Sequence, residues 1–373
     1  MTLAEERRLV FIKERENRLA GNLNGLPLFY TFPKLATIIP TIPEGYPILV
    51  TANSGIGKTQ SWIGIFIYTV YKLKKEHPEV NLKIKLVIAL LEDTRDILID
   101  RLYSMLLFEV FGIVVPFDEL HSWKQRIMSE DTLAKLEVVQ REVDFILEDC
   151  EILDSVYNPT GIYKWARAIS NKYGKHKAKE MQFSDENGNT TMQSVYSHYE
   201  AEDPTQQVIM IVDNLNNLAS ELRDGRSLSE RETINLWTRQ YTRLQITKHW
   251  KWTVINIIQQ ASDSEKQQFS LMGKTIVEKI KPSLDGLGNS KECQRDHFMV
   301  LGLFAPDRYG INSYEGYNIG IMGDHFRSLI VLKSNISVTN VEIPLLFNGA
   351  CYSFKELPRS NEINPLTFYT QFQ

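Results

Sequence analysis

The chain has 373 residues, which is enough for one large α/β domain or two modest ones. With 43% hydrophobic and 10% aromatic residues, it can bury an ordinary globular core. The formal net charge of −4 argues against wholesale nonspecific attraction to nucleic acid. A local basic groove is still compatible with that charge, because the position of charges decides binding.

No apolar stretch approaches the roughly 20 residues that a membrane-spanning helix needs. Residues 1–18 are charged throughout and therefore do not form a secretory signal. The three cysteines, Cys150, Cys293 and Cys351, lack metal-ligand spacing and are odd in number, which indicates reduced thiols. We therefore expect a soluble, cytoplasmic protein with no membrane partner.

The chain opens with a helical pattern over residues 1–23 that is rich in Glu and Arg and has few apolar positions. Such a helix is either frayed and solvated or a linker helix that docks on a neighbouring subunit. The prolines of residues 24–45 then predict an irregular lead-in rather than a helix. We assign residues 1–42 to this N-terminal segment, 43–356 to one large domain and 357–373 to a C-terminal tail.

The most informative stretch is residues 47–60, PILVTANSGIGKTQ. A short apolar strand, a small-residue loop and a helix-compatible segment follow one another, as a phosphate-binding P-loop requires. Backbone N–H groups and a helix N-terminus converge there on anionic oxygens. The predicted nucleotide-binding residues are Asn53, Ser54, Gly55, Ile56, Gly57, Lys58, Thr59 and Gln60.

Within this loop Lys58 would reach the β- and γ-phosphates of ATP, and the Thr59 hydroxyl would bind Mg²⁺. Ala52 stands where the motif has its first glycine, and alanine can still turn there if φ stays negative. The alternative interpretation is a chance Gly-Lys-Thr in a surface turn. We therefore expect ATP and Mg²⁺ as the cofactors.

From residue 47 onward, strand and helix patterns alternate. Strands are predicted at 84–91, 151–153, 208–212 and 252–258, and helices at 94–111, 133–147, 163–172 and 229–249. Continuous apolar strand runs of this kind indicate a mostly parallel sheet that is covered on both faces. Later strands at 298–304, 317–322, 328–333 and 341–346 are joined by short turns, which predicts antiparallel pairs at the C-terminal end.

Two polar stretches fit neither pattern. Residues 173–203 predict a hairpin or a mobile insertion, and residues 261–290 a long loop. Loops of this length inside a compact domain are usually functional or disordered.

Three strand ends complete the predicted site. Glu92 directly follows the strand at 84–91, where it could accept a proton from the water that attacks the γ-phosphate. The alternative is that Glu92 belongs to an acidic helix N-cap region. Asp213 ends the run Ile-Met-Ile-Val-Asp, the Walker B form, and would hold Mg²⁺. Gln259, at the end of the next strand, could sense the γ-phosphate by hydrogen bonding, or either it or Gln260 could be a loop cap.

In this order the motifs resemble the RecA-like ATPase core and, more narrowly, the C-terminal motor domain of DnaB-type replicative helicases. The family's Ser-Leu-Glu-Met is similar to residues 90–93, Leu-Leu-Glu-Asp, and its Ser-Gln-Leu to residues 258–260. Its late Lys-x-Arg-Asn-Gly is similar to residues 333–337, which begin Lys-Ser-Asn-Ile. The resemblance covers residues 43–354.

This resemblance implies an assembly, usually a hexameric ring, with ATP at each subunit interface. It gives Lys333 the role of a piston lysine that reaches the neighbour's nucleotide. Asn335 stands where the family has its arginine finger, and a neutral amide cannot stabilise the same charge. Arg308 and Arg327 are either relocated fingers or ordinary surface arginines.

The resemblance also implies single-stranded DNA in a central channel lined by residues 214–231 and 261–290. The candidate DNA-binding cations, which are otherwise solvated loop charges, are Arg223, Arg226, Lys266, Lys274, Lys279 and Lys281. The N-terminal collar domain that recruits primase in the family is not recognisable, and a minimal motor suits a phage or mobile element. A primase or a helicase loader is an expected partner, and a bacterial or phage-infected cell the expected setting.

The leading hypothesis is a ring-forming, ATP-dependent DNA helicase or translocase that acts on single-stranded DNA in replication. One alternative is a RecA/KaiC-like ATPase for recombination or regulation. The other is a nucleotide-dependent scaffold, made slow by the departures at Ala52 and Asn335.

Overall fold

The computed structural model describes residues 2–19, 25–80, 82–123, 126–184, 190–203, 205–261, 266 and 277–372. In this part of the chain a nine-stranded mixed sheet forms the centre. Its strands are β1 (Pro47–Ala52), β2 (Lys83–Leu90), β3 (Cys150–Leu153), β4 (Gln206–Asp213), β5 (Thr253–Gln259), β6 (Met299–Phe304), β7 (Phe326–Ser334), β8 (Val341–Asn348) and β9 (Ser353–Glu356).

The spatial order of the strands is β9-β8-β7-β6-β1-β5-β4-β2-β3. The strands from β6 to β3 in this order are parallel, and β6, β7, β8 and β9 pair antiparallel. The predicted fold class, a mostly parallel RecA-like sheet with antiparallel C-terminal strands, is confirmed.

The central strands are apolar because helices cover both faces of the sheet. All six residues of β1 are buried, and their side chains alternate between two apolar clusters. Ile48 and Val50 belong to one cluster, whereas Leu49 belongs to the other. Such two-sided burial produces a continuous apolar run instead of the alternation of a half-exposed strand.

Most of the long helices cover the sheet, whereas the described residues of the first one are exposed, and several helices begin at a side-chain cap. Thr94 accepts from Ile97 N, and Ser229 and Glu232 form a capping box. The longer helices are α1 (Leu3–Leu19), α2 (Arg95–Phe111), α3 (Glu130–Leu147) and α4 (Pro159–Tyr173). Two further helices are composite, each with a π-helical segment in its middle. The first consists of Lys58–Trp62, Ile63–Ile67 and Tyr68–Glu76. The second consists of Glu230–Asn235, Leu236–Thr247 and Lys248–Trp250. The short α-helices are Pro33–Ile38, Phe117–Leu120, Ile319–Met322 and Pro365–Phe368. None of the helices within the described ranges has the length and apolarity to cross a membrane.

The lead-in is more ordered than its prolines predict. Gly25–Pro27 pairs with Thr41–Pro43, and Pro33–Ile38 is helical. Leu28 and Leu35 are fully buried in the same core as β1. The prediction of an irregular segment is therefore wrong between these strands, because the pairing partner lies fourteen or more residues along the chain.

The predicted strand at 317–322 is also wrong. Only Tyr317–Asn318 is extended, and Ile319–Met322 is a helical turn. The Asn318 side chain accepts from Ile321 N at 3.2 Å and so caps that turn. A short apolar run is compatible with strand or helix, and a local cap decides between them.

Residues Gly174–Ser184 and Thr190–Ala201 form the hairpin that was one of the two predictions for this insertion. At the other end of the chain, the Tyr369 side chain is buried and its hydroxyl accepts from Asn318 N at 2.9 Å. The residues assigned to a tail therefore pack on the domain. The domain limits themselves stay predictions.

Candidate nucleotide site

The P-loop follows β1 at the carboxyl edge of the parallel strands. Gly55 and Gly57 have φ values of 71° and 104°, the left-handed region that favours glycine. Ala52 needs no such freedom, since it is the last residue of β1 and pairs with Gln259 and Leu303. Helix Lys58–Trp62 begins directly after Gly57, so its first N–H groups face the loop. This geometry suits a bound phosphate chain.

Asp213 lies at the end of β4 against the helix that follows the P-loop. Its Oδ2 accepts from Thr59 Oγ1 at 2.9 Å and from Trp62 Nε1 at 2.7 Å. Burial raises its pKa to about 6; the bonds from Trp62 and Thr59 oppose this, and Glu92 and Asp93 reinforce it. Its Oδ1 is buried without a hydrogen-bond partner in the described chain. A hydroxyl beside an unsatisfied carboxylate oxygen is the donor chemistry that Mg²⁺ prefers, so these residues fit the ion.

A chain of amide groups connects the predicted base to the predicted sensor strand. Asn214 Nδ2 donates to Glu92 Oε2 at 2.9 Å, and Asn214 Oδ1 accepts from Asn216 N at 2.8 Å. Asn216 Oδ1 in turn accepts from Gln259 N at 2.8 Å. Glu92 and Gln259 are thus brought to one edge. Gln260 instead binds Thr51 Oγ1 and Ser283 O.

Side chains from the C-terminal part of the domain, on β7 and on the turn before it, contact the P-loop. Arg327, at the start of β7, is 2% exposed, and its Nε donates to Ile56 O at 2.9 Å. Arg308 Nη1 donates to Ser54 O, and Asn53 Nδ2 to the Tyr309 hydroxyl. Lys58 Nζ donates to Asn53 O at 3.3 Å. Both arginines therefore contact their own P-loop, and the surface-arginine interpretation of Arg327 is wrong because that side chain is buried.

Lys333 and Asn335 lie at the opposite edge of the sheet. Lys333 Nζ donates to Gln294 O and His297 O, each at 2.7 Å. Burial lowers the pKa of Lys333, and Arg243 lowers it further. The six-residue β1 separates this edge from the P-loop by about 17 Å at 3.3 Å per residue. Lys333 therefore cannot touch a nucleotide bound by its own chain.

The candidate DNA-binding cations differ in how exposed they are and in which carboxylates they pair with. Arg223 and Arg226 lie on a small exposed hairpin, where Arg226 pairs with Glu232. Lys266 and Lys279 are exposed, and Lys274 lies outside the described residues. Lys281 is mostly buried and pairs with Glu342 at 2.8 Å and Glu278 at 2.9 Å. Those two pairs hold Lys281 in the fold, so a DNA track would depend on the other cations.

The sequence reasoning missed Trp62, which donates to the Walker B carboxylate, and Asn214, which binds Glu92. It named Arg327 but did not predict its contact with the P-loop of its own chain. The one local signal was the run Asn214-Leu215-Asn216-Asn217 directly after Asp213, which resembled a plain polar loop.

The fold is a RecA-like core, and the loop after β1 has the geometry of a P-loop with the Asp213 carboxylate beside it. The structure titled "ATPase Domain of G40P" has a TM-score of 0.67 with the protein, at 16% identity over 96% of this chain and 100% of that chain. A DnaB-like replicative helicase, solved in a study of its interactions with primase, gives a TM-score of 0.63 and 17% identity. That match covers 94% of this chain and 68% of the helicase.

At these identities the likeness shows the shared fold. It is the RecA-like fold that the resemblance in sequence implied. No protein-family model matches the chain, and no curated protein matches it in sequence.

Proposed function

We propose that the chain is a Mg²⁺- and ATP-dependent DNA helicase or translocase that assembles into a ring, expected to be a hexamer, and moves on single-stranded DNA in replication. The observation that carries this proposal is the contact of Thr59 Oγ1 with the buried Asp213 beneath the P-loop, with Glu92 at the same edge. The two solved structures, an ATPase domain and a DnaB-like replicative helicase, support it through their fold.

In this mechanism the P-loop binds and orients the triphosphate. The N–H groups around Gly57 and the first turn of the following helix face the phosphate oxygens, and Lys58 balances their charge. Arg327 and Arg308 hold the loop through Ile56 O and Ser54 O. The loop therefore needs little rearrangement on binding, which lowers the entropic cost.

Thr59 and Asp213 would hold Mg²⁺, which when bound neutralises phosphate charge. Trp62 fixes the Asp213 carboxylate through Oδ2 and leaves Oδ1 for the ion. Protonation of Asp213 would compete with metal binding, because its pKa is raised to about 6.

Glu92 would take the proton of the attacking water. The bond from Asn214 Nδ2 orients its carboxylate and leaves the other oxygen for water. The hydrogen bonds through Asn214 and Asn216 would transmit a change at this carboxylate to the end of β5. Gln259, at that end, would respond to the γ-phosphate.

The proposed DNA contacts and partners go beyond this site. Arg223, Arg226, Lys266, Lys274 and Lys279 would track the DNA backbone from loops that face a common channel. The helicase of similar fold was solved in a study of its interactions with primase, which favours a primase or a loader as a partner here.

The direct experiment measures ATP hydrolysis with and without single-stranded DNA, together with unwinding of a forked duplex. We expect stimulation by DNA, and loss of turnover with retained ATP binding in Glu92→Gln. Arg126→Gln is a suitable control, since Arg126 is an exposed arginine paired only with Asp118 among the described contacts. Absence of both stimulation and unwinding would rule out the helicase.

A nucleotide-dependent scaffold is the second candidate, favoured by Asn335 at the position where the family resemblance implies an arginine. In that case Glu92→Gln would leave a slow hydrolysis rate unchanged while ATP still bound tightly.

A further inference from the structure

Asn214 is the first residue after β4, and it is buried at the carboxyl edge of the sheet, only 3% exposed. One end of its side-chain amide meets the backbone N–H of Asn216 at 2.8 Å. A backbone N–H only donates, so that end is the oxygen, and the amide nitrogen faces Glu92 Oε2 at 2.9 Å. The position of Asn216 therefore fixes how Asn214 directs its donor at the predicted base.

Asn216 is a junction of three segments of the chain. Its side-chain oxygen accepts from Gln259 N at 2.8 Å, and its side-chain nitrogen lies 3.5 Å from Glu230 Oε1. Glu230 lies at the far end of the loop at 214–231, where the next helix begins. Gln259 is the last residue of β5, just before the loop at 261–290. Asn216 therefore contacts the end of one candidate DNA loop and the start of the other.

Arg226 connects the exposed tip of the first loop to the same junction. Its Nη1 donates to Glu232 Oε2 at 2.9 Å, and Glu232 shares the first turn of its helix with Glu230. A DNA phosphate held by Arg226 would compete with this carboxylate for the guanidinium. Binding at the tip would therefore act on the helical turn that Asn216 contacts.

We propose that Asn214 and Asn216 are positioning residues through which single-stranded DNA on these loops raises the rate at which Glu92 activates water. The inference rests on the proposed helicase function and deepens it. DNA on either loop changes the contacts of Asn216, and the bond from Asn214 passes that change to the Glu92 carboxylate. In this arrangement the two asparagines act on the reaction only through Glu92.

Turnover with and without an oligothymidylate tests the coupling. Asn216→Ala should bring the ratio of DNA-stimulated to unstimulated turnover close to one, although the described bonds of Asn216 do not include Glu92. Asn214→Leu should lower the stimulated turnover by about 10-fold, as expected for one lost hydrogen bond to a charged group. The double variant should be no slower than Asn214→Leu, because a series of bonds is broken only once. An unchanged ratio in Asn216→Ala would overturn the proposal.

Binding measurements separate positioning from the attachment of DNA. The affinities for a fluorescent ATP analogue and for a labelled oligothymidylate should match wild type in both variants. Loss of DNA affinity together with the ratio would overturn the proposal in favour of a role in holding the DNA. Equal falls of turnover with and without DNA would also overturn it, because Asn214 would then orient Glu92 independently of the loops.

Asn217→Ala is the matched control. Asn217 is the next residue, it is exposed, and its side chain forms no hydrogen bond among the described residues. It should keep the wild-type ratio, and a ratio near one in this variant would trace the effect to the turn itself and overturn the proposal. Asn216 is also exposed, so Asn216→Ala keeps the test decisive even if the buried Asn214→Leu fails to fold.

Hydrogen exchange distinguishes failure of this inference from failure of the proposed function. Because coupling between sites is reciprocal, a non-hydrolysable ATP analogue should alter the exchange of backbone amides at 214–231 in wild type and not in Asn216→Ala. A wild type whose turnover ignores DNA contradicts the helicase, and the exchange experiment then decides whether the asparagines couple the loop to the nucleotide. Unaltered exchange in wild type would overturn that coupling.

Discussion

Arg327 ties the P-loop to the C-terminal strands from a buried position. Its Nε donates to Ile56 O at 2.9 Å, its Nη1 donates to Asp324 O at 2.8 Å, and its guanidinium lies 4.4 Å from the centre of the Phe347 ring. A buried guanidinium is tolerated only when its donors are paired. Arg327 therefore fixes the nucleotide-binding loop and the start of β7 as one unit.

We expect Arg327→Met to weaken ATP binding by about 10- to 100-fold, because a lost hydrogen bond to a charged donor costs about 1.5–3 kcal/mol. Titration with a fluorescent ATP analogue measures the effect, and urea unfolding measures stability alongside. Lys72→Met is the control. Lys72 is 18% exposed and pairs with Glu109 at 3.0 Å, and it lies near the C-terminal end of the composite helix that begins at Lys58. Equal affinities in both variants would show that Arg327 matters only for stability.

His297 makes the stability of the fold depend on pH. Burial lowers its pKa to about 4, a bond to the Cys293 carbonyl opposes this shift, and Lys333 adds to it. The unfolded chain binds the proton near pH 6.5, so the stabilising contribution is full above that pH and is lost as pH falls towards 4. We expect the free energy of unfolding to drop by about 2 kcal/mol between pH 7 and pH 5 from this residue.

Urea unfolding at both pH values checks this, with His297→Gln as the comparison. The variant loses contacts with Asn256 and Cys293 and should be less stable at pH 7, but its stability should vary less with pH. The same pH dependence in both proteins would assign proton uptake to another group.

The sequence predicted site residues that sit in local patterns and missed those defined by distant contacts. Lys58, Thr59 and Asp213 each belong to a short motif, and the fold brings Thr59 to Asp213. Trp62 meets Asp213 across 151 residues, and Arg327 meets Ile56 across 271. No local pattern contains such a pairing, because it depends on which strands become neighbours in the sheet.

At the scale of elements, prediction succeeded where burial imposes a strong pattern. The apolar runs of β1 and β4 follow from cover on both faces, and Thr94 marks the start of α2. Prediction from the sequence failed at the strand Gly25–Pro27 and at the helical turn Ile319–Met322. These pieces are too short for a periodic signal, and a strand partner or a side-chain cap determines their conformation.

Among its described residues, the hairpin Gly174–Ser184/Thr190–Ala201 is anchored at its base. Tyr199 OH donates to Ser170 O at 2.9 Å, and His176 Nε2 lies 2.7 Å from Ser170 Oγ. The described residues of the distal part are exposed on both strands. The distal part therefore contributes little to the stability of the core.

We expect that replacing residues 180–194 by Asn-Gly, which joins the paired Lys179 and Val195, leaves the free energy of unfolding within about 0.5 kcal/mol of wild type. Tyr199→Phe, at the base, should instead cost about 1 kcal/mol through the lost hydrogen bond. Urea unfolding of both variants measures the difference. A large loss in the shortened chain would mean that the distal strands pack on the domain.

At the scale of the whole molecule, the described residues of α1 include several apolar side chains that the domain does not cover. Leu9, Phe11 and Ile12 are 48%, 54% and 42% exposed, and none belongs to an apolar cluster of the described core. Exposed apolar residues on an otherwise charged helix suit a surface that is buried in an assembly. A second copy of the chain is the occupant that the proposed ring requires.

Phe11→Ser should therefore weaken assembly and leave the monomer intact. Because Phe11 is 54% exposed, an interface can bury about half of its side chain, which is worth about half of 1.5–3 kcal/mol, so the association constant for each interface should fall by about 4- to 15-fold. Lys13→Ser places the same poor helix former two residues away on an exposed position, so it controls for helix propensity. Mass photometry across a concentration series measures assembly, and urea unfolding of dilute monomer measures the fold. Equal weakening by both variants would trace the effect to helix content, whereas a less stable Phe11→Ser monomer would place α1 against its own domain. Only a loss of assembly specific to Phe11→Ser assigns the Phe11 side chain of α1 to the contact between copies.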